Sequence, residues 1–358
     1  MEPFERILVR APNPLGDAVM ATPLLRCVRR TWPRARITVL AVPSGAEAYR
    51  GLGTVDRIEV YRRAREDRGW GGLWRTARRL RGERFDLALV CPNSHSSALL
   101  ARLAGARRRV GWSYNGRGLL LTDALRPEKA GFARRVARPM VSYYLDLARH
   151  LGAEVTDEHT ELRTTPDGEE EAFRALRAGG WKEGEPLAGL GVGASFGPSK
   201  LWSSEAFCAV GEALSAKGLR IAILHGPGEE GVAASVQAGM KSKPVLGAGT
   251  VLGLAGLKSL SSRLSVVVTT DTGTRHVASA FGVPAVVVMG PTDPTYTNCN
   301  LDRTEVLREE VDCAPYRWPC HEKECPLTDA RRHQCMVRIP PERAVAAAVR
   351  LMERFPRR

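Results

Sequence analysis

Four short stretches combine carboxylates, cations and glycines of the types that phosphate and sugar chemistry uses. The first, Ala11-Pro-Asn-Pro-Leu-Gly-Asp17, follows an apolar run at residues 7–10 and opens a helical pattern over residues 18–30. Gly16 permits a tight turn, and Asp17 lands at the helix N-terminus. An Asp there is a common cap, favoured by the helix dipole. A carboxylate at a strand end is also where a general base for an acceptor hydroxyl has to sit. The second, Gly191-Val-Gly-Ala-Ser-Phe-Gly-Pro-Ser-Lys-Leu-Trp202, precedes a helix capped by Ser203 or Ser204. Gly193, Ala194 and Ser195 expose backbone N–H groups and Lys200 adds a point charge, which suits a phosphate; a loop that merely turns the chain has the same composition. The third, Asp271-Thr-Gly-Thr-Arg-His276, places Asp271, Thr272 and Gly273 at a strand end with His276 on the next helical turn. That set offers a carboxylate for sugar hydroxyls beside donors for phosphate. The fourth is His225-Gly-Pro-Gly-Glu-Glu230, where Glu229 or Glu230 could accept hydrogen bonds from a ribose or a base.

The elements that must hold these stretches read as strand, loop and helix in alternation. Apolar or alternating runs occupy residues 7–10, 37–42, 57–61 and 85–91, then 187–193, 219–225, 264–270 and 285–289. Helical segments at 18–30 and 73–80 lie between the early runs, and an amphipathic helix closes the chain over 341–355. Short apolar strands alternating with helices imply parallel sheets covered on both faces. Residues 157–184, polar and acidic, read as a connector. The expectation is two doubly wound α/β halves facing a central cleft, with ligands at the carboxyl ends of the strands. Residues 1–165 form the first domain and 166–340 the second, and helix 341–358 is expected to pack back on the first.

At 358 residues and 44% hydrophobic, the chain has enough apolar content for two cores. No apolar run reaches the roughly 18–20 residues that a membrane-spanning helix needs. The N-terminus does not read as a secretory signal, so a cytoplasmic protein is expected. The net charge of +14 favours anionic partners in general. Nine arginines between residues 62 and 84 alternate with Trp70, Leu73, Trp74 and Leu80, a pattern that fits either a helix lying on an anionic membrane or an apolar stripe buried on the sheet. Arg107-Arg-Arg109 and Arg134-Arg135 add to this basic half. Cys27, Cys91 and Cys208 read as buried small residues. Cys313, Cys320, Cys325 and Cys335 are candidate ligands for a structural zinc, with His321 and His333 nearby, although their spacing matches no standard finger; free thiols are the first expectation.

Taken in order, Gly16-Asp17, the 193–202 loop, Gly226-Pro-Gly-Glu-Glu230, Asp271-Thr-Gly-x-x-His276 with Gly290-Pro291, and the Cys-rich tail resemble glycosyltransferase family 9, the ADP-heptose:lipopolysaccharide heptosyltransferases. Asn13-Pro-Leu-Gly-Asp17, Pro92-Asn-Ser94 and Gly111-Trp112 are more similar to its heptosyltransferase II branch. The resemblance spans nearly the whole chain. It implies a GT-B fold of two Rossmann-like domains and inverting transfer of heptose from ADP-L-glycero-D-manno-heptose to the lipopolysaccharide inner core. In that scheme Asp17 is the base and Lys200 neutralises the leaving diphosphate. Gly193, Ala194, Ser195, Glu229, Glu230, Asp271, Thr272, Gly273 and His276 hold the donor, and Asn13, Gly16, Asn93 and Ser94 hold a lipid A-Kdo-heptose acceptor. No cofactor or catalytic metal is required, and the expected form is a monomer at the inner face of the cytoplasmic membrane. Arg275 departs from the family pattern, which has an apolar or small residue there, and the tail lacks the close C-x-x-C with which the family often opens it. A transferase using another nucleotide sugar keeps the same fold. A nucleotide-dependent oxidoreductase lacks its GxGxxG after strand one. A nucleic-acid binder would use the charge, but no nucleic-acid module is present.

Overall fold

The computed structural model describes residues 2–114, 116–130 and 134–356. It divides into two compact units, residues 1–163 with 295–299, and residues 164–294 with 300–358.

The first unit is built on six parallel strands: β1 (Arg6–Arg10), β2 (Arg36–Ala41), β3 (Arg57–Val60), β4 (Leu87–Val90), β5 (Arg108–Trp112) and β6 (Asp123–Leu125). Their order is β3-β2-β1-β4-β5-β6. The helices are α1 (Leu15–Met20), α2 (Thr22–Thr31), α3 (Pro43–Tyr49), α4 (Gly69–Arg81), α5 (His95–Leu103) and α6 (Met140–Arg149). A two-stranded pair, β7 (Lys129–Ala130) with β8 (Arg134–Arg135), runs antiparallel. The side chains of Arg134 and Arg135, two cations of the expected basic face, lie outside the described residues. β1, β2 and β4 are buried almost throughout, as strands covered on both faces must be.

The second unit has five parallel strands: β9 (Leu187–Gly191), β10 (Arg220–Leu224), β11 (Val266–Thr270), β12 (Ala285–Val288) and β13 (Thr304–Leu307), ordered β10-β9-β11-β12-β13. Its helices are α7 (Pro166–Ala178), α8 (Ser204–Ala216), α9 (Glu230–Gly239), α10 (Leu254–Ser261), α11 (Gly273–Ser279), α12 (Gln334–Val337) and α13 (Pro341–Arg354). Successive strand residues divide between two cores, Leu190, Val268 and Val286 on one face and Val267, Ala285 and Val287 on the other. This is the period-two alternation of a pleated sheet.

Three expectations are corrected here. Residues 157–184 are not simply a connector, because they contain α7. Ala172 and Leu176, four residues apart, bury in the core under an otherwise acidic surface, and Pro166 sits at the first helical turn. The segment 18–30 is two helices, broken at Ala21. The closing helix α13 is part of the second unit, where Ala344, Ala347, Ala348 and Leu351 complete the core that α8 lines.

In each unit the strand order reverses at one place, between β1 and β4 in the first and between β9 and β11 in the second. Ligands of open α/β sheets bind at such switch points, outside the carboxyl ends of the strands.

Candidate active site

In the first unit the switch point joins the loop after β1 to the loop after β4. Asp17 is the third residue of α1, and Pro14 occupies the cap position. A proline has no N–H to give, so Asp17 has no capping-box partner there. Its Oδ1 instead accepts a hydrogen bond from the hydroxyl of Tyr144 on α6, at 2.8 Å. Tyr144 is buried, and burial followed by the Asp17 charge raises its phenol well above the ordinary range, so it acts as a fixed donor. Asn13 is held by the Arg10 guanidinium, whose Nη2 donates to Oδ1 at 2.7 Å. Arg10 is fully buried at the end of β1, and desolvation lowers it to about 10.

After β4, Asn93 exchanges hydrogen bonds with the Tyr143 hydroxyl, and Ser94 caps α5 by accepting from the Ser97 N–H at 3.3 Å. Buried Arg117 ties these loops together, donating to the carbonyls of Pro92, Ser94 and Trp112 and to Asn93. Tyr143 stacks on Trp112 with ring centroids 4.7 Å apart. The loop is therefore rigid, and Ser94 has a local structural task as well as its expected place in the acceptor set.

In the second unit the loops after β9 and β11 are pinned side by side: Thr270 Oγ1 donates to the Gly193 carbonyl at 2.9 Å, and Thr269 Oγ1 to Gly191 at 3.1 Å. Glu229 sits behind them, accepting from the amides of Ala194 at 2.8 Å and Gly226 at 2.7 Å. A Cβ on Gly193 would stand 1.9 Å from the Glu229 carboxylate, which would have to leave its two amides to make room. The Ala194 N–H is thus occupied by a side chain of the protein, contrary to the expectation that it stands open for phosphate. Glu230 is the exposed member of the pair, its carboxylate accepting from the Gly228 amide at 3.1 Å. Ser195 is exposed, and Ser203, not Ser204, caps α8.

Lys200 and Asp271 form the centre of this cluster. Nζ lies 2.8 Å from Oδ2 of Asp271 and 3.0 Å from its carbonyl oxygen, and Phe196 lies under the ammonium at 4.9 Å. Arg275 donates to Oδ1 at 2.9 Å and Thr292 Oγ1 to Oδ2 at 3.2 Å. Burial by itself would raise the Asp271 carboxyl, but Lys200 and Arg275 outweigh it and hold the group well below the usual range. His276 is 4% exposed, and desolvation, reinforced by Arg275, lowers it to about 3. With His276 neutral, the Asp271 carboxylate is flanked by two cations, Lys200 and Arg275, in a buried cluster at a strand end. Thr272 is the cap residue of α11, with Gly273 opening the helix.

The sequence model of glycosyltransferase family 9 (heptosyltransferase) matches residues 73–330. The chain belongs to glycosyltransferase family 9. The relatives of this family 9 enzyme include the lipooligosaccharide heptosyltransferase 2 of Haemophilus influenzae, 27% identical, with 84% of this chain and 88% of that protein covered. The lipopolysaccharide heptosyltransferase 2 of Salmonella typhimurium is 28% identical over 85% and 88%. Among solved structures, E. coli ADP-heptose LPS heptosyltransferase II superposes with a TM-score of 0.76 at 23% identity, covering 98% and 99% of the two chains. A family 9 glycosyltransferase from Veillonella parvula gives 0.81 at 22%, covering 98% of each. The fold is GT-B, and the protein is a glycosyltransferase.

Two further sequence expectations change in this glycosyltransferase. Asp271 is not a bare carboxylate awaiting sugar hydroxyls, because both its oxygens already carry protein donors. The Arg107–Arg109 cluster is largely spent internally: Arg108 pairs with Asp123 at 2.7 Å, and Arg109 donates to the Leu120 and Ala106 carbonyls. The four tail thiols do converge, lining one small cavity of about 20 Å³ with Trp318 and His333. None of the eight cysteines is in a disulfide, and among the described residues no three His, Cys, Asp or Glu side chains are arranged to hold a metal. Tyr144, Arg117 and Thr292 were not legible as site residues because each acts on a loop distant in sequence, and Arg10 reads only as the end of a strand.

Proposed function

We propose that the protein transfers heptose from ADP-L-glycero-D-manno-heptose to the inner core of lipopolysaccharide, with inversion at the anomeric carbon. The observation that carries the reading is the buried Lys200–Asp271–Arg275 cluster, two cations on one carboxylate, at the switch point of a chain whose relatives include heptosyltransferases 2. Such a cluster is suited to receive a diphosphate leaving group, because preorganised charges in a water-poor site stabilise developing charge without reorganising.

In this scheme Asp17 takes the proton from an acceptor hydroxyl, whose oxygen bonds to the anomeric carbon as the bond to the diphosphate breaks. The transition state is oxocarbenium-like, as in glycoside cleavage generally. Lys200 turns from Asp271 to the departing ADP, and Arg275 keeps the Asp271 carboxylate compensated while it does so. Glu230, exposed where Glu229 is tied to two amides, is the glutamate that meets the nucleoside in this scheme. Asn13 and Asn93 hold the lipid A-Kdo-heptose acceptor on the first unit. Since the cations needed for the leaving group are the protein's own, the scheme asks for no cofactor. The protein works as a monomer at the inner face of the cytoplasmic membrane; among the described residues no helix is long and apolar enough to cross one.

A donor screen tests this reading. Purified protein is offered ADP-heptose, ADP-glucose and UDP-sugars with a heptosylated Kdo-lipid A acceptor. Turnover with ADP-heptose and an inverted linkage by NMR is the expected outcome. Turnover with another nucleotide sugar alone would replace heptose in the account.

A further inference from the structure

Helix α4 divides its face in two. Leu73, Thr76, Ala77 and Leu80 are buried, so the stripe read from the sequence docks through its leucines. The two tryptophans do not join it: Trp70 is 78% exposed and Trp74 55%. They stand one turn apart, and Arg78, one turn further, lies over the Trp74 ring at 5.4 Å. Leaving two indoles in water is unfavourable, and Trp is the side chain that most favours a boundary between apolar and wet surroundings.

The setting is strongly basic. All nine arginines between residues 62 and 84 are exposed, against three acids in the same stretch. Arg62 pairs with Glu66, and Arg79 with Glu59 and Asp67. Among the described residues the other seven (Arg63, Arg65, Arg68, Arg75, Arg78, Arg81 and Arg84) have no carboxylate partner. The loop before the helix is held in place by buried Asp67, which accepts from the Arg62 amide at 2.9 Å and from the Thr76 hydroxyl at 2.9 Å. Beside it an open, mainly apolar depression of about 670 Å³ is lined by Val42, Pro43, Tyr61 and residues 62–65. Val42 and Tyr61 follow β2 and β3, so the depression lies at the strand ends that also carry the Asp17 loop. Trp70 and Trp74 lie in the first half of α4, the half nearest those ends.

We infer that α4 and the 62–68 loop form the surface by which the first unit docks on an anionic lipid bilayer, with Trp70 and Trp74 entering the headgroup region and the unpaired arginines meeting lipid phosphates. Exposed aromatic anchors give the apolar contribution and the guanidinia the electrostatic one. The inference rests on the membrane part of the proposed function and is independent of the donor sugar. It gives the protein a way to present the carboxyl end of its first sheet to an acceptor that is itself a membrane lipid.

The test is sedimentation with vesicles of phosphatidylcholine alone and of phosphatidylcholine with 30% phosphatidylglycerol. Wild type is compared with Trp70→Ser/Trp74→Ser and with Arg75→Gln/Arg78→Gln. Wild type is expected to bind the anionic vesicles with a blue-shifted tryptophan emission, and to release as salt rises from 0.1 to 0.5 M. The tryptophan pair should weaken binding by about 100-fold, the transfer value of two large apolar side chains. Turnover with a deacylated, water-soluble acceptor should be unchanged in both variants, which shows that they fold and separates this result from the identity of the reaction. Undiminished vesicle binding by the tryptophan variant overturns the inference. So does wild-type sedimentation as a dimer that the variant abolishes, or binding to single-stranded RNA in place of vesicles.

Discussion

Lys200 and Asp271, 71 residues apart in sequence, form a buried ion pair 2.8 Å long whose acid is shared with Arg275. Two cations on one carboxylate free one of them to act. If Lys200 leaves for a diphosphate, Asp271 keeps a partner, and the penalty of an unpaired buried charge is avoided.

That sharing separates the two cations by experiment. Lys200→Met should cost about 10²–10³ in kcat, the range found when one preorganised charge-stabilising donor is removed. Its melting temperature should fall less than that of Arg275→Met. The arginine variant leaves Lys200 as the sole compensating charge for a buried carboxylate, so it should lose several kcal/mol of stability and bind donor more weakly. Calorimetric melting with steady-state kinetics checks both; an Arg275→Met protein of wild-type stability and donor affinity would remove the sharing argument.

The two glutamates before α9 should behave oppositely. Glu229 accepts two backbone amides, so Glu229→Gln places an amide N–H against one of them and should cost about 1–3 kcal/mol, read as a shift in urea midpoint. Glu230→Gln should leave stability within about 0.5 kcal/mol and raise the KM for the donor. A silent Glu229→Gln would mean that the amide cage is not a structural tie.

Tyr144 positions Asp17 and should be detectable without touching substrate. Tyr144→Phe removes a hydrogen bond to a charged group, worth about 1.5–3 kcal/mol, so kcat should fall about 10- to 100-fold with donor affinity unchanged. Equal losses in kcat and donor affinity would point to general unfolding of the unit instead.

The buried histidine predicts an acid weakness with a defined sign. His276 binds its proton only near pH 3 in the native state, against an ordinary value of 6.5, so the unfolded chain takes up the extra proton between these limits. Its contribution therefore lowers stability as pH falls from about 6.5 toward 3. Asp271, depressed below its ordinary 3.8, adds its own loss only below about pH 4. His276→Gln should flatten the change in urea midpoint between pH 7.5 and 5, and an unaltered slope would show that the ring is already protonated.

Much of this architecture could be read from residue types because each half repeats apolar runs ended by Gly, Pro and Asp. β5, β6 and β13 lie outside the runs read from the sequence: β5 begins Arg108-Arg109, β6 is short and opens on Asp123, and β13 alternates Thr, Glu and Val, so none shows a continuous apolar signal. α7 hid behind four acids and a proline. Asp17, Lys200 and Asp271 were found because loops at strand ends are locally recognisable. Their partners were not, since Tyr144 lies 127 positions from Asp17 and Thr292 comes from the loop after β12. Arg275 stood out only as a departure from the family pattern, and its meaning came from the carboxylate it was found to share.

The most direct measurement is single-turnover transfer from ADP-heptose to a heptosylated Kdo-lipid A acceptor by wild type and Asp17→Asn, with donor affinity measured by calorimetry on both. The account predicts transfer by wild type and a loss of about 10²–10⁴ in rate for the variant, the usual contribution of a positioned base, at unchanged donor affinity. Transfer by Asp17→Asn at the wild-type rate would contradict it.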